Sequence, residues 1–397
     1  MNKAYLPKRL VLNKYIDKVN LIMHGQGVIL FDAHGPCILN FCDASGVVGL
    51  KVSFTECAVH ADMLPSNEPL IDKSNSQGLT CKKGAYYWVS LDSQNQRLIA
   101  GIGEARTETM IYSYQFPVDK NSLSRKLFLE SLVCATFKNL QATSILRDPI
   151  TRKIPLLVKD TNALTMESIS QNTHMPKVNL SAISQKLHDC IAGKHFRLDT
   201  RDFPNFVKAI EYSINTPGKW CYERLKEKAT EFSKDKPNYE ETYLRITLGE
   251  NNGESPGIPY VMEIWPVGHY SPIHNHGSSS AIIRVLSGGI NVSLFPFLSS
   301  DACVEPFAIA NFKKDDVTWI SPTLNQVHQL KNLGSNTCIT IQCYMYENGD
   351  SSHYDYFDYI DANAAIKQFE PDSDMGFMDF KRLMKKEWSE RKRFWCR

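Results

Sequence analysis

The sequence predicts a mainly β protein with two kinds of domain: a β-sandwich-like N-terminal domain and a C-terminal jelly-roll barrel preceded by helices. The first observation is a series of short runs of branched and aromatic residues, bounded by Gly, Pro, Asp or Asn, in the first part of the chain. The second is a set of three histidines, His274, His276 and His328, among similar runs in the second part. A length of 397 residues leaves room for two to three domains.

Residues 1–145 are predicted to form the sandwich. Gly27–Phe31 and Val47–Phe54 have the length and composition of strands, and several such runs at this spacing are typical of a sandwich or a jelly roll. Tyr86–Leu91 followed by Leu98–Gly103 has the pattern of a hairpin. This part weakly resembles the module named after farnesoic acid methyltransferase, which implies that it binds a ligand or a partner. Of the two alternatives for Trp88 and the tyrosines beside it, ligand binding and core filling, we expect core filling.

Residues 146–178 are predicted to connect the two domains, because prolines recur there among polar and basic residues. The barrel domain follows over residues 179–366 and is expected to begin with two amphipathic helices. One has Asn179 or Ser181 as its start signal. The other carries a second set of apolar residues around Phe206.

The spacing of the three histidines predicts a metal site. On a regular strand, residues i and i+2 point to the same face, so His274 and His276 would aim their imidazoles at one point. A third strand can bring His328, which lies 52 residues after His276, to the same point. Imidazole suits Fe, Zn, Cu and Ni, and three neutral ligands leave coordination positions open. His269 lies an odd number of residues from His274 and is predicted to face away.

The segment from about residue 181 to residue 361 resembles the cysteine dioxygenases, which are non-haem iron enzymes of the cupin superfamily. Five stretches that carry this resemblance occur in the family's order: Asn215–Trp220, Tyr243–Arg245, Ser271–His276, Val327–Asn332 and Tyr344. The resemblance implies a cupin jelly-roll barrel and a thiol dioxygenase activity.

The resemblance places the Fe(2+) ligands at His274, His276 and His328. It also implies that Arg245 anchors the substrate carboxylate and that Tyr243 lines the same pocket. A guanidinium can grip a carboxylate through two parallel hydrogen bonds. The alternative for Arg245 is an ordinary surface ion pair. Tyr344 matches the family's active-site tyrosine, and Tyr346 is the alternative, because i and i+2 share a strand face.

The chain departs from the family's pattern at three points. Ser278 to Ala281 fill the stretch where many cupins carry a glutamate ligand, so a neutral three-histidine site is favoured. Ala281 stands where animal cysteine dioxygenases have a cysteine bonded to the tyrosine, and no Cys–Tyr crosslink is expected. Thr340 and Gln342 replace the family's serine and histidine beside Tyr344. Because glutamine forms hydrogen bonds but does not titrate, the support of Tyr344 must differ.

Composition limits the partners and the location that we expect. The net charge of +2 gives no reason to expect nucleic acid as a partner. No apolar run is long enough to span a membrane. The chain starts without the apolar stretch of a signal peptide, and its 11 cysteines lack paired spacing. Reduced thiols and a cytoplasmic location are therefore predicted.

Residues 367–397 are predicted to form a basic amphipathic C-terminal helix. From Lys381 to Arg397 there are eight Lys or Arg residues against two Glu. Phe377, Phe380, Met384 and Trp388 have the spacing of one helix face. We expect this face to pack on its own domain. The alternative is that the helix binds an anionic membrane or a partner.

Two hypotheses on function follow. The first is iron-dependent oxidation of a small carboxylate-bearing, cysteine-like thiol by O2 to a sulfinate. Free cysteine, 3-mercaptopropionate, cysteamine and a peptide N-terminal cysteine all stay open, although an anchoring Arg245 disfavours cysteamine. The second is a non-catalytic or divergent cupin scaffold whose N-terminal β module binds a ligand or partner.

Overall fold

Strands dominate both units into which the chain divides, residues 1–154 and residues 155–397. This computed structural model describes residues 7–12, 16–72, 78–79, 84–249, 258–301, 304–346 and 356–391. The mainly β fold class predicted from the sequence is confirmed. The predicted connector, 146–178, is divided between the two units, because two short strands after residue 154 pair within the sheet of the C-terminal unit.

The described strands of the N-terminal unit are β1 (Arg9–Val11), β2 (Lys18–Asn20), β3 (Gln26–Asp32), β4 (Cys37–Cys42), β5 (Val48–Phe54), β6 (Val59–Met63), β7 (Glu68–Leu70), β8 (Tyr87–Asp92), β9 (Arg97–Ile102), β10 (Met110–Gln115), β11 (Cys134–Lys138) and β12 (Gln141–Leu146), and its helix is α1 (Ser122–Glu130). They form two six-stranded sheets, in the orders β1-β12-β3-β8-β9-β10 and β2-β11-β4-β5-β6-β7.

The core of the N-terminal unit lies between these two sheets. Ile29 and Phe31 of β3 face it, and Phe31 meets Phe54 of β5 edge-to-face with ring centroids 5.2 Å apart. The alternate residues of β3 join a smaller apolar cluster on the other face of the sheet, with Trp88. Both faces of β3 are thus covered, which accounts for its unbroken apolar run. Trp88 is fully buried, so the core-filling alternative describes this residue.

The described elements of the C-terminal unit are β13 (Leu157–Lys159), α2 (Met166–Ser170), β14 (His174–Pro176), α3 (Ala182–Ile191), α4 (Phe206–Asn215), α5 (Trp220–Glu227), β15 (Leu244–Thr247), β16 (Ile258–Trp265), β17 (Ser280–Ser287), β18 (Gly289–Phe295), β19 (Ala308–Lys313), β20 (Val317–Ile320), β21 (Val327–Lys331), β22 (Cys338–Met345), β23 (Phe357–Ile360), β24 (Ile366–Phe369), β25 (Met375–Gly376) and α6 (Phe377–Glu390).

Two facing sets of strands form the barrel of this unit. The larger sheet has the order β14-β13-β20-β17-β22-β16-β15-β25, and the smaller sets are β19-β18-β21 and β23-β24. His274 joins the two smaller sets, because it forms isolated bridges with His328 of β21 and with Tyr359 of β23. Apolar side chains from both sides, such as Val285 and Leu330, meet between them. This arrangement is a jelly-roll barrel.

Helices cover one outer side of the barrel. Ser181 is the N-cap of α3, because its side-chain oxygen accepts a hydrogen bond from the Ser184 backbone N–H. The C-terminal helix α6 packs on its own unit, as expected, with Phe380 and Met384 both fully buried against α4 and α5. Residues 392–397 of the predicted tail lie outside the described residues. Among the described helices, none has the length and apolar character needed to cross a membrane.

Candidate metal centre

The segment that carries His274 and His276 is extended but is not a regular strand. Before β17 begins at Ser280, the segment pairs only through isolated bridges, at Tyr270 and at His274. The sequence-based expectation of two histidines on one regular strand is therefore wrong in its local geometry. Pro272 has no N–H for a ladder, and Gly277 and Ser278 adopt positive φ angles of 56° and 62°, which turn the chain. Both histidines are nevertheless buried and line the cavity of the barrel.

The three predicted histidines come together in the barrel interior. The metal-binding nitrogens available on His274, His276 and His328 all lie within 4.8 Å of one another. The Nε2 atoms of His276 and His328 are 3.1 Å apart. Two nitrogens bound side by side to one ion, each at about 2.1 Å, would be about 3.0 Å apart in octahedral geometry. The observed spacing therefore fits a shared metal ion.

Backbone carbonyls orient two of the three rings. The Nδ1 of His274 lies 3.0 Å from the Pro272 carbonyl oxygen, and the Nδ1 of His328 lies 3.3 Å from that of Asn325. Since a carbonyl only accepts, each Nδ1 carries the hydrogen and each Nε2 keeps its lone pair for a metal. The Nδ1 of buried His276 has no hydrogen-bond partner among the described residues.

The site keeps its imidazoles neutral, as metal binding requires. Burial lowers the pKa of His274 to about 4 and that of His328 to about 3. Burial and the neighbouring histidines also lower the pKa of His276. Within the described residues, no carboxylate or thiol joins this group of ligand atoms. The donor set thus fits a divalent transition metal held by three imidazoles.

His269 lies apart from the triad, as predicted from its spacing. Its Nδ1 is 3.0 Å from the Thr242 carbonyl oxygen and 3.1 Å from the Thr242 hydroxyl. Its ring meets Tyr239 edge-to-face, with centroids 4.9 Å apart. These contacts give His269 a structural role outside the cavity.

Tyr344 lines the same cavity as the triad, and its ring stacks on His276 with centroids 5.4 Å apart. Its hydroxyl donates a hydrogen bond to Oε1 of Gln342, and the Nε2 of Gln342 donates to Glu263 and, at 3.3 Å, to Thr340. The carboxylate accepts only, which fixes the orientation of the Gln342 amide. The predicted Thr340–Gln342–Tyr344 series is therefore a connected chain that ends on Glu263. Ala281, the cross-strand partner of Tyr344, supplies no sulfur there.

Arg245 and Tyr243 also line this cavity. Tyr243 is buried between Trp265 and Phe232, stacked on the indole at a centroid distance of 4.1 Å. A side-chain hydrogen bond links it to Arg245, and burial, followed by the charge of Glu263, raises the pKa of Tyr243. The structure thus brings the predicted substrate-binding pair to the metal centre.

Glu263 is a site residue that the sequence reasoning missed. It is 4% exposed, and its Oε1 lies 3.4 Å from Nη1 of Arg245. Burial raises the pKa of this carboxyl group, while Arg245 and Gln342 oppose that rise. The sequence does contain a signal for Glu263: it is the one acidic residue in the apolar run Val261–Trp265. A charged residue in a buried strand is expected to have a partner, because charged residues are almost never fully buried unless they are paired. Arg245 forms an ion pair, but a buried one rather than the surface pair considered above.

The cavity has an open volume of about 50 Å³, and both polar and apolar side chains line it. The polar lining residues include the three histidines, Arg245, Glu263, Gln342 and Tyr344. The apolar lining residues include Ile290, Leu294 and Phe312. A cavity of this size limits a fully enclosed ligand to a small molecule.

Comparisons with known proteins add a general likeness to cupins. The cupin domain of Schizosaccharomyces pombe Cnp3 is 17% identical, with a TM-score of 0.21, over 27% of this chain and 62% of that chain. The cupin domain of an XRE family transcriptional regulator from Enterobacter cloacae is 13% identical, with a TM-score of 0.21, over 26% of this chain and 96% of that chain. An oxalate oxidase is 15% identical, with a TM-score of 0.22, over 28% of this chain and 52% of that chain.

The aligned part spans less than two thirds of the Cnp3 domain and of the oxalate oxidase. No family model matches the chain. The order of the strands in the two facing sets defines the barrel.

Proposed function

We propose that the C-terminal unit is an iron-dependent thiol dioxygenase, which oxidises a small thiol with O2 to a sulfinate. The observation that carries this proposal is a buried site of three neutral imidazoles, without a carboxylate or thiol ligand among the described residues, in one cavity with the Tyr344 hydroxyl. The reaction balances as RSH + O2 → RSO2H. The thiol sulfur loses four electrons to O2, and both oxygen atoms become bonded to that sulfur.

An iron(II) ion at this site would supply the redox chemistry and open coordination positions next to the three imidazoles. The His274, His276 and His328 side chains would hold it, with His274 and His328 already oriented by carbonyl groups. The apolar wall of the cavity would exclude water from the reacting sulfur.

We propose that Tyr344 contacts the substrate. Its hydrogen is donated to Gln342, so in this arrangement the phenol oxygen can only accept further hydrogen bonds. It is therefore suited to accept a hydrogen bond from a donor on the substrate. Gln342 is the positioning residue, because it holds the phenol through its own bonds to Glu263 and Thr340.

Oxygen uptake by the iron-loaded full chain tests this proposal. We expect uptake with at least one small thiol, with about one sulfinate formed per O2 consumed, measured by an oxygen electrode and mass spectrometry. His328→Gln should abolish uptake, whereas His269→Gln, which changes a buried histidine outside the cavity, should retain it. If no thiol supports uptake by fully iron-loaded protein, the non-catalytic scaffold is the better interpretation.

A further inference from the structure

Glu263 and Arg245 are direct cross-strand partners. Arg245 lies on β15 and Glu263 lies opposite it on β16. Their side chains are 6% and 5% exposed, and the ion pair spans 3.4 Å. The second carboxylate oxygen of Glu263 accepts the hydrogen bond from Gln342. Both oxygens of Glu263 are thus engaged, and the carboxylate is fixed in the lining of the cavity.

The negative charge of Glu263 offsets the positive charge of Arg245 in the lining of the cavity. Among the described residues that line the cavity, Arg245 is the one lysine or arginine, and Glu263 already contacts its guanidinium. Asp316, the other acidic residue of the lining, is partly exposed and accepts a hydrogen bond from the Lys313 backbone N–H. A carboxylate ligand reaching Arg245 would therefore bring a second negative charge beside a buried one.

Two buried carboxylates that share one guanidinium repel each other strongly, because the surroundings screen the charges poorly. A neutral group in the same place meets no such repulsion. An ammonium group gains no comparable advantage, because it would lie beside the Arg245 guanidinium as well as beside Glu263. The ion pair thus favours a neutral ligand group over a carboxylate, even though it contains an arginine.

We propose that Glu263 determines the substrate class of this site: by engaging Arg245, it excludes carboxylate-bearing thiols and selects small thiols whose other end is neutral. This inference rests on the proposed thiol dioxygenase function and differs from the carboxylate-bearing substrate that the resemblance implies.

A pair of matched ligands tests the inference on the unmodified protein. 3-Mercaptopropionate and 3-mercaptopropionamide have the same thiol and chain length but differ in the charge at the far end. Calorimetric titration of the full chain, loaded with iron(II) without oxygen, should give a dissociation constant roughly tenfold or more lower for the amide. Equal affinities, or tighter binding of the carboxylate, would overturn the inference.

The variant Glu263→Gln removes the negative charge with little change of shape. It should reverse the preference, so that 3-mercaptopropionate binds more tightly than the amide. Glu231→Gln is the matched control, because Glu231 pairs with Lys228 at 3.1 Å and is not among the described residues that line the cavity. It should keep the wild-type preference. An unchanged preference in folded Glu263→Gln protein would also overturn the inference.

Oxygen uptake separates a wrong substrate class from a wrong function. If the wild-type protein consumes O2 with carboxylate-bearing thiols in preference to their amides, the function stands and the role of Glu263 is refuted. If neither ligand binds and no thiol supports oxygen uptake, both proposals are refuted.

Discussion

His274 and His328 are backbone partners as well as candidate metal ligands. Each donates its N–H to the carbonyl oxygen of the other, and both N···O distances are 3.0 Å. This reciprocal pair fixes the separation of the two residues before any ion binds, and their imidazole centroids lie 4.7 Å apart. Two of the three candidate ligands are therefore held in place by the hydrogen bonds of the barrel itself.

The first prediction concerns metal content. The wild-type chain should bind about one equivalent of a divalent transition metal, because three imidazoles with available Nε2 atoms converge on one point. His274→Ala or His328→Ala should lose most of this metal, as measured by elemental analysis of the purified protein. His269→Gln should bind as much as the wild type. Equal metal in the wild type and both triad variants would contradict the site.

The second prediction concerns Tyr344. Its cross-strand partner is Ala281, and residues directly opposite on antiparallel strands have neighbouring side chains. No thioether should therefore form at Tyr344, and the intact mass of the iron-loaded protein after exposure to thiol and O2 should lack a two-hydrogen loss. Peptide mapping that links Tyr344 to Cys338 or Cys343 would refute this expectation.

The third prediction concerns the stability of the buried ion pair. Arg245→Met leaves Glu263 as an unpaired buried carboxylate and should lower the free energy of unfolding by about 3–5 kcal/mol. The double variant Arg245→Met/Glu263→Met removes both charges and should recover most of this loss. Urea unfolding of the wild type, both single variants and the double variant gives the coupling energy. Strictly additive losses would show that the two side chains do not interact.

The fourth prediction tests whether α6 is an integral part of the C-terminal unit. Phe380 is fully buried between α4 and α5, so Phe380→Ala should cost about 3–5 kcal/mol of unfolding free energy. Met378, two residues earlier, is 66% exposed, and Met378→Ala should stay within about 0.5 kcal/mol of the wild type. Comparable small effects of both substitutions would mean that the helix contributes little to this fold.

The sequence by itself determined the mainly β class, several of the strands of the N-terminal unit and the histidines that could form a metal site. These features follow from local patterns: alternating or continuous apolar runs bounded by turn residues, and three histidines set among such runs. Such patterns depend on how a residue meets its near neighbours in the chain, so they can be recognised without knowledge of the fold. The spacing of His269 likewise separated it from the triad.

The tertiary structure alone decided which partners the polar residues have. Arg245 and Glu263 lie 18 positions apart in the chain, and only the antiparallel register of β15 and β16 places them side by side. In the same way, β22 and β16 bring Gln342 to Glu263. The interaction between charged groups depends on their separation in space and on burial, which is why an arginine expected to hold a substrate is already paired.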